Sequence, residues 1–210
     1  MTPNDYVNLV ATELDDPGKV TFTQSDIEEA LQNAYHYIAV LTGCFPKITS
    51  VNFPTSPYWE VDIPDYFSIL LAYNPNSKRF IEIRDLSYLE ALNDSWDTKF
   101  GHTSVITPLG ANYLGLYPHY ETVPASQLYL VYNSYPTTFK DEVTVQIPSQ
   151  FKELLVYRAV SELLESVLEF SKARAYYTLY LELLPQFKKF VSSRIGPNLY
   201  RRMLENAVGL

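Results

Sequence analysis

Ten of the fourteen prolines fall between Phe45 and Pro148, at positions 46, 54, 57, 64, 75, 108, 118, 124, 136 and 148. Inside a helix each would remove a backbone N–H and clash with the preceding turn, so no long helix fits in that stretch. The flanks are nearly free of proline and carry apolar residues at helical spacing. The chain therefore reads as a helical start, a β-rich middle and a helical end.

At the start, Thr2 followed by Pro3 is an N-cap with proline at the first helical position. Val7, Val10 and Leu14 then recur until Asp16-Pro17-Gly18 stops the segment, which predicts a helix over 3–15. Thr23 is placed to cap the N–H of Asp26 while Asp26 reaches back, with Phe22 and Ile27 as a hydrophobic staple. The stripe Ile27, Leu31, Ala34, Ile38, Leu41 runs to Gly43 and predicts a second helix over 24–42.

In the middle, alternation predicts strands at Trp59–Ile63, Arg79–Ile83, Tyr113–Tyr117, Gln127–Tyr132 and Glu142–Ile147, and Asp85 to Asn93 reads as a short capped helix. After Pro148 and Ser149, a cap, Phe151, Leu154, Leu155, Val160, Leu163, Leu164, Val167 and Leu168 form a broad apolar stripe. A further helix runs from Lys172 to Val191 after a break near Ser171, and Pro185 is expected to kink or split it. The tail from Gly196-Pro197 reads as a short basic helix or a disordered arm. The expected fold class is α+β: an antiparallel bundle of about four helices interrupted by a small β-rich insert, with a C-terminal basic arm. Its parts are 1–44 and 149–193 for the bundle, 45–148 for the insert and 194–210 for the arm, in a single integrated domain.

Composition removes many chemistries. Cys44 is the only cysteine, which excludes an internal disulfide framework or a cysteine zinc site. It follows Gly43 at a helix end, where the dipole disfavours a thiolate. No glycine pattern cradles phosphate, no HExxH binds metal and no GxSxG presents a serine nucleophile, so no cofactor, metal or catalytic residue is expected. His36, His102 and His119 share no ligand spacing and read as structural. Asp62 with Asp65, and Asp94 with Asp97, are carboxylate pairs that a sugar-cleaving site could use, yet each sits beside turn-forming residues and reads as an Asx turn or cap. No apolar run reaches membrane-spanning length, and Met1-Thr2-Pro3-Asn4-Asp5 is not expected to direct export. The sequon Asn93-Asp94-Ser95 is set aside on that ground.

Charge is uneven: residues 1–150 hold 18 acidic and 7 basic groups, whereas 151–210 hold 6 and 9. Five of those basic groups, Lys188, Lys189, Arg194, Arg201 and Arg202, fall in the tail, yet against a net charge of −8 they do not make a nucleic-acid binder. An acidic protein partner suits them better. The 18 tyrosines, 11 phenylalanines and 2 tryptophans favour large amphipathic contact surfaces.

The order of motifs carries more than any one of them. Phe22-Thr23-Gln24-Ser25-Asp26-Ile27 opens a helix that runs through Asn33-Ala34. Leu116-Tyr117-Pro118 precedes Leu128-Tyr129-Leu130-Val131-Tyr132-Asn133-Ser134-Tyr135-Pro136. Asp141-Glu142, Ile147-Pro148 and the helix from Phe151-Lys152-Glu153-Leu154-Leu155 to Ala159 follow. In this order the chain resembles tailed-bacteriophage head-to-tail adaptor (head-completion) proteins, over most of its length. It departs from them at Phe22, where members often carry Trp.

The resemblance implies a structural virion protein at the head–tail junction, assembled in the host cytoplasm. It implies a dodecameric ring docked on the portal protein and joined to the tail or the next connector, with DNA passing through unbound and no catalysis, cofactor or membrane. It places a portal contact in the C-terminal segment, here Arg194, Tyr200, Arg201, Arg202, Met203 and Leu204, ordered only on docking. Aromatic edges of such a ring would be Tyr58, Trp59, Tyr113, Tyr117, Tyr132 and Tyr135. The alternative is a carbohydrate-binding or sugar-cleaving module that uses Trp59, Trp96 and surface tyrosines as stacking platforms.

Overall fold

Two reciprocal capping boxes open the chain's helices where the sequence places them. In a computed structural model that describes residues 1–63, 65–110, 112–136, 138–142 and 145–209, Thr2 and Asp5 exchange hydrogen bonds at the start of α1 (Pro3–Glu13). Thr23 and Asp26 do the same at α2 (Gln24–Thr42), and Gly43 closes α2 in the left-handed conformation that a residue without Cβ adopts cheaply. Asp85 caps α3 (Leu86–Leu92). The later helices are α4 (Lys152–Ser166), α5 (Phe170–Arg194) and α6 (Pro197–Val208).

The described residues divide into two compact units: Met1–Gly43 with Pro136–Ser193, and Cys44–Tyr135 with Arg194–Leu210. In the first, α1, α2 and α4 pack through Tyr6, Val10, Ile27, Leu31, Ile38, Leu154, Leu155 and Val160, all buried. α5 joins them through aromatic rings: Tyr180 lies 6.4 Å from Tyr37 of α2, and Phe187 lies 5.1 Å from Phe151. The break before α5 comes at Val167–Glu169, slightly earlier than expected. α5 is one helix through Pro185, which corrects the expected split. Pro185 is exposed, so the lost backbone bond falls on the solvent side, where water replaces it.

The expectation of a bundle with a small β insert and a basic arm is corrected by the second unit. It holds a seven-stranded mixed sheet in the order β1-β7-β3-β4-β5-β6-β2. The strands are β1 (Pro46–Asn52), β2 (Tyr58–Glu60), β3 (Tyr66–Asn74), β4 (Arg79–Ile83), β5 (Val105–Pro108), β6 (Tyr113–Tyr117) and β7 (Gln127–Ser134). All neighbours pair antiparallel except β4 and β5. β1 and β3, the two strands that flank β7, and the short β5 are the ones that periodicity did not predict. The strand expected over Glu142–Ile147 includes residues 143 and 144, outside the described residues; its described part is irregular.

β3 hides from pattern analysis for two reasons. It is covered on both faces, so its apolar residues run together rather than alternate. Its pairing with β7 also slips between Tyr66 and Ser68 and again between Ile69 and Leu71. These bulges put Tyr66, Ile69 and Ala72 into the same core as Leu128, Leu130 and Tyr132, at a spacing of three rather than two.

One sheet face buries that core, with Phe53, Ile81, Ile106, Leu114 and Leu116. The opposite face is covered in two places. α6 lays Leu204 on Tyr73 and Val131, with Tyr200, Met203 and Val208 beside it. The expected arm is thus a folded amphipathic helix, because its apolar residues recur every three or four positions and find an apolar sheet face to bury. Farther along, Leu89 of α3 and Trp96 cover Val105 and Tyr117.

Candidate functional site

The sheet ends at β2, and the register there decides which side chains point outward. Tyr58 pairs with Gly115, Trp59 with Leu114 and Glu60 with Tyr113. Paired residues share a face and successive ones alternate, so Tyr58, Glu60, Tyr113, Gly115 and Tyr117 lie on the outer face. Trp59 and Leu114 lie on the core face. Tyr58 is 49% and Tyr113 48% exposed, the only two large hydrophobic side chains of this pair of strands open to that extent.

This outer face is built rather than incidental. Trp96 seats over Gly115, where a Cβ would stand 3.0 Å from Trp96 Cη2 and 3.3 Å from Leu109 Cδ1. Tyr58 meets the Trp96 ring edge-on at 5.5 Å and donates its hydroxyl to Asp97 at 3.1 Å. That bond to a carboxylate, followed by slight burial, raises the Tyr58 pKa. Gly115→Ala is expected to destabilise the protein by about 1–3 kcal/mol by displacing Trp96 from its seat. Denaturant unfolding and a red shift of tryptophan emission measure this, and an unshifted spectrum at wild-type stability counts against it.

The structure brings Tyr58, Tyr113 and Tyr117 together and separates the other residues proposed with them. Trp59 is half-buried on the opposite face. Tyr132 is 5% exposed and donates to Asp65 at 3.0 Å. Burial first, then this bond, pushes its pKa up to about 12. Tyr135 follows β7 and tilts on Phe67 at 5.1 Å. Of the two tryptophans considered as sugar platforms, Trp96 is 6% exposed beneath its neighbours.

In the C-terminal set, Leu204 is buried and Tyr200 and Met203 half-buried against the sheet, whereas Arg194, Arg201 and Arg202 are exposed. Arg201 lies over the Phe80 ring at 4.9 Å and pairs with Glu205 at 3.6 Å. The residue that sequence reasoning missed is Phe100, 60% exposed in the loop after Trp96. Its only signal was an aromatic standing outside any periodic segment.

Of the carboxylates considered for acid–base work, Asp65 and Asp97 have structural partners. Asp65 accepts from Lys47 and Tyr132 and ties β1 to β7, while Asp97 receives the Tyr58 hydroxyl. His102 meets the Tyr120 hydroxyl at 3.0 Å, and His119 is buried against Phe100. Among the described residues no three His, Cys, Asp or Glu side chains converge as a metal site, and no helix is long and apolar enough to cross a membrane.

Several aspartates are held below the usual carboxylate range by donors. For Asp5 these are the N–H and hydroxyl of Thr2, for Asp26 the hydroxyl and N–H of Thr23. Asp16 accepts from the N–H groups of Phe22, Val20 and Thr21, and Asp85 from Ser87 and Tyr88. At Asp65 burial works the other way, but the bonds from Lys47 and Tyr132 outweigh it. A carboxylate depressed in the fold contributes stability that is complete above its unfolded pKa, about 4, and lost as pH falls through the folded value. The thermal midpoint is therefore expected to change little as pH falls to about 5 and to drop below about 4. A midpoint that held level into strong acid would contradict this assignment.

The family model described as SU10 adaptor protein matches residues 1–201. No curated protein matches the chain.

Proposed function

The chain belongs to the SU10 adaptor protein family and is a phage structural adaptor of the head–tail connector type; from that membership we propose that it forms a dodecameric ring, docked on the portal protein and joining it to the tail or the next connector protein. The observation that carries the ring is the outer face of β2 and β6. Tyr58 and Tyr113 are aromatics with little rotamer freedom to lose, both left uncovered in the single chain, and Tyr58 is held in place by Trp96 and Asp97. Tyrosines so placed are typical anchors of a protein–protein contact. Tyr117 packs against Trp96 beside them, Trp59 and Tyr132 support the strands, and Tyr135, 39% exposed just after β7, is a further outward aromatic.

The portal-facing surface in this reading is the outward side of α6. Arg201 and Arg202 meet portal carboxylates, Arg194 stands at the preceding turn, and Tyr200, Met203 and Leu204 fix the helix from beneath. The net charge of −8 suits a conduit that conducts DNA without gripping its phosphates. The role is structural, without catalysis or cofactor, at the head–tail junction of the particle, and assembly takes place in the host cytoplasm.

Quantitative mass spectrometry of purified particles tests this. The expected result is a copy number near that of the portal protein. Absence from the particle, or hundreds of copies, overturns the adaptor ring.

A further inference from the structure

Phe100 is a fixed knob rather than a loose loop residue. On either side of it the backbone is bonded to the same partner: the His119 N–H donates to the Lys99 carbonyl at 3.0 Å, and the Gly101 N–H donates to the His119 carbonyl at 2.9 Å. The ring rests on His119, centroids 4.6 Å apart, and stays 60% exposed. Lys99 beside it is exposed and makes no ion pair with a described residue. The sequence thus holds out an aromatic ring next to a positive charge, with the ordering cost already met inside the chain.

A socket of matching character lies in the helical unit. A cleft of about 370 Å³ runs between α2 and α4, with Phe22, Ala30, Leu163 and Val167 on its apolar side and Glu29 and Glu162 among its acidic groups. Glu162 is already engaged by Arg158 at 3.4 Å and Asn33 at 2.7 Å, whereas Glu29 is exposed and makes no ion pair with a described residue. Beside Val167 the chain turns at Leu168, whose left-handed backbone (φ 65°) is unfavourable for a branched side chain. That turn leaves Leu168 73% and Phe170 61% exposed, apolar surface that directly follows the cleft's Val167 in the chain and that water covers poorly.

We propose that Phe100 and Lys99 of one copy seat in the α2–α4 cleft of the next copy, the ring in the apolar floor and the ammonium on Glu29. The cleft has room for one phenyl ring and carries the charge opposite to that of the knob. Knob and socket are different surfaces of the same chain, so the contact is head-to-tail and repeats from copy to copy, as closure into a ring requires. The inference rests on the ring reading and names its contact. Lys99 and Phe100 directly follow the turn that carries Trp96 and Asp97.

The test uses the full chain in particles. Lys99→Glu and Glu29→Lys are introduced separately, then together as two co-expressed chains, and copies per portal are counted by quantitative mass spectrometry. Each variant alone places like charges at every contact and is expected to lower incorporation roughly tenfold or more. Co-expression is expected to restore it, because alternating copies face opposite charges at every contact. Both sites are exposed, and unchanged thermal midpoints establish that the variants fold. Phe100→Ala is expected to lower incorporation without rescue by either. If wild-type chain is present near portal stoichiometry and the single variants incorporate equally well, or the pair does not recover, the knob-and-cleft contact is overturned while the ring stands. Absence of wild-type chain from particles overturns the ring itself.

Discussion

Phe139→Ala is expected to destabilise the helical unit by about 3–5 kcal/mol, the range for emptying a buried phenyl site. Phe139 is 1% exposed and stands between two tyrosines, with Tyr6 of α1 at 6.0 Å and Tyr35 of α2 at 5.7 Å, both edge-on. Its backbone N–H is taken by the Gln32 side chain of α2. The Tyr35 hydroxyl donates to Glu142 at 3.3 Å and accepts the Gln146 N–H at 3.2 Å. One ring therefore pins the segment after the sheet to both N-terminal helices. Denaturant unfolding followed by near-ultraviolet dichroism measures the loss, and Phe139→Leu should recover most of it. A Phe139→Ala protein with wild-type stability would remove this residue from the core.

Leu204→Ala is expected to destabilise the sheet-bearing unit by about 2–5 kcal/mol. Leu204 is 1% exposed and meets Tyr73 and Val131 on neighbouring strands, with Ile48, Leu71 and Phe80 around it. Ending the chain after Ser193 removes all of α6 and leaves this sheet face uncovered, so the truncated protein is expected to aggregate or to bind a hydrophobic dye strongly. The resemblance drawn from sequence implied the opposite, a C-terminal segment ordered only on docking. A soluble truncated protein with an unchanged thermal midpoint would restore that view. Because Arg202 lies on the exposed side of α6, Arg202→Glu separates partner binding from folding in a way that truncation cannot.

The starts of α1, α2 and α3 were legible because a cap is local: Thr23 and Asp26 lie three residues apart and need no other part of the chain. The same holds for Thr2, Asp85 and Gly43, whereas Ser149, read as the cap of α4, instead opens a short turn before it. β3 was not legible, since its bulges are fixed by the partner strand and replace the alternation that marks a half-buried strand. α6 was half legible. Its spacing of apolar residues was there to read, but the surface that buries them is assembled from β1, β3 and β7, two of which no pattern announced. Pro185 misled for a related reason, because the cost of a proline depends on whether its missing bond faces water or core. In the site, clustered tyrosines were legible as a class, yet the choice between Tyr58 and Tyr132 depends on strand register, which no window of sequence contains.

The division of the chain, with residues 44–135 lying between the two parts of the helical unit, also sets a timetable for synthesis. α2 leaves the ribosome with Ile27, Leu31 and Ile38 uncovered, and α4 follows only after the whole sheet segment has been translated. At about 5–20 residues per second that delay is roughly 5–20 s, during which a two-helix fragment must neither aggregate nor be degraded. The strong caps of α1 and α2 hold their ends through this interval, and the acidic residues on the wet face of α2 keep the fragment soluble. α6 comes after every strand in the chain, so the sheet obtains its second cover only once all seven strands and both parts of the helical unit have been made.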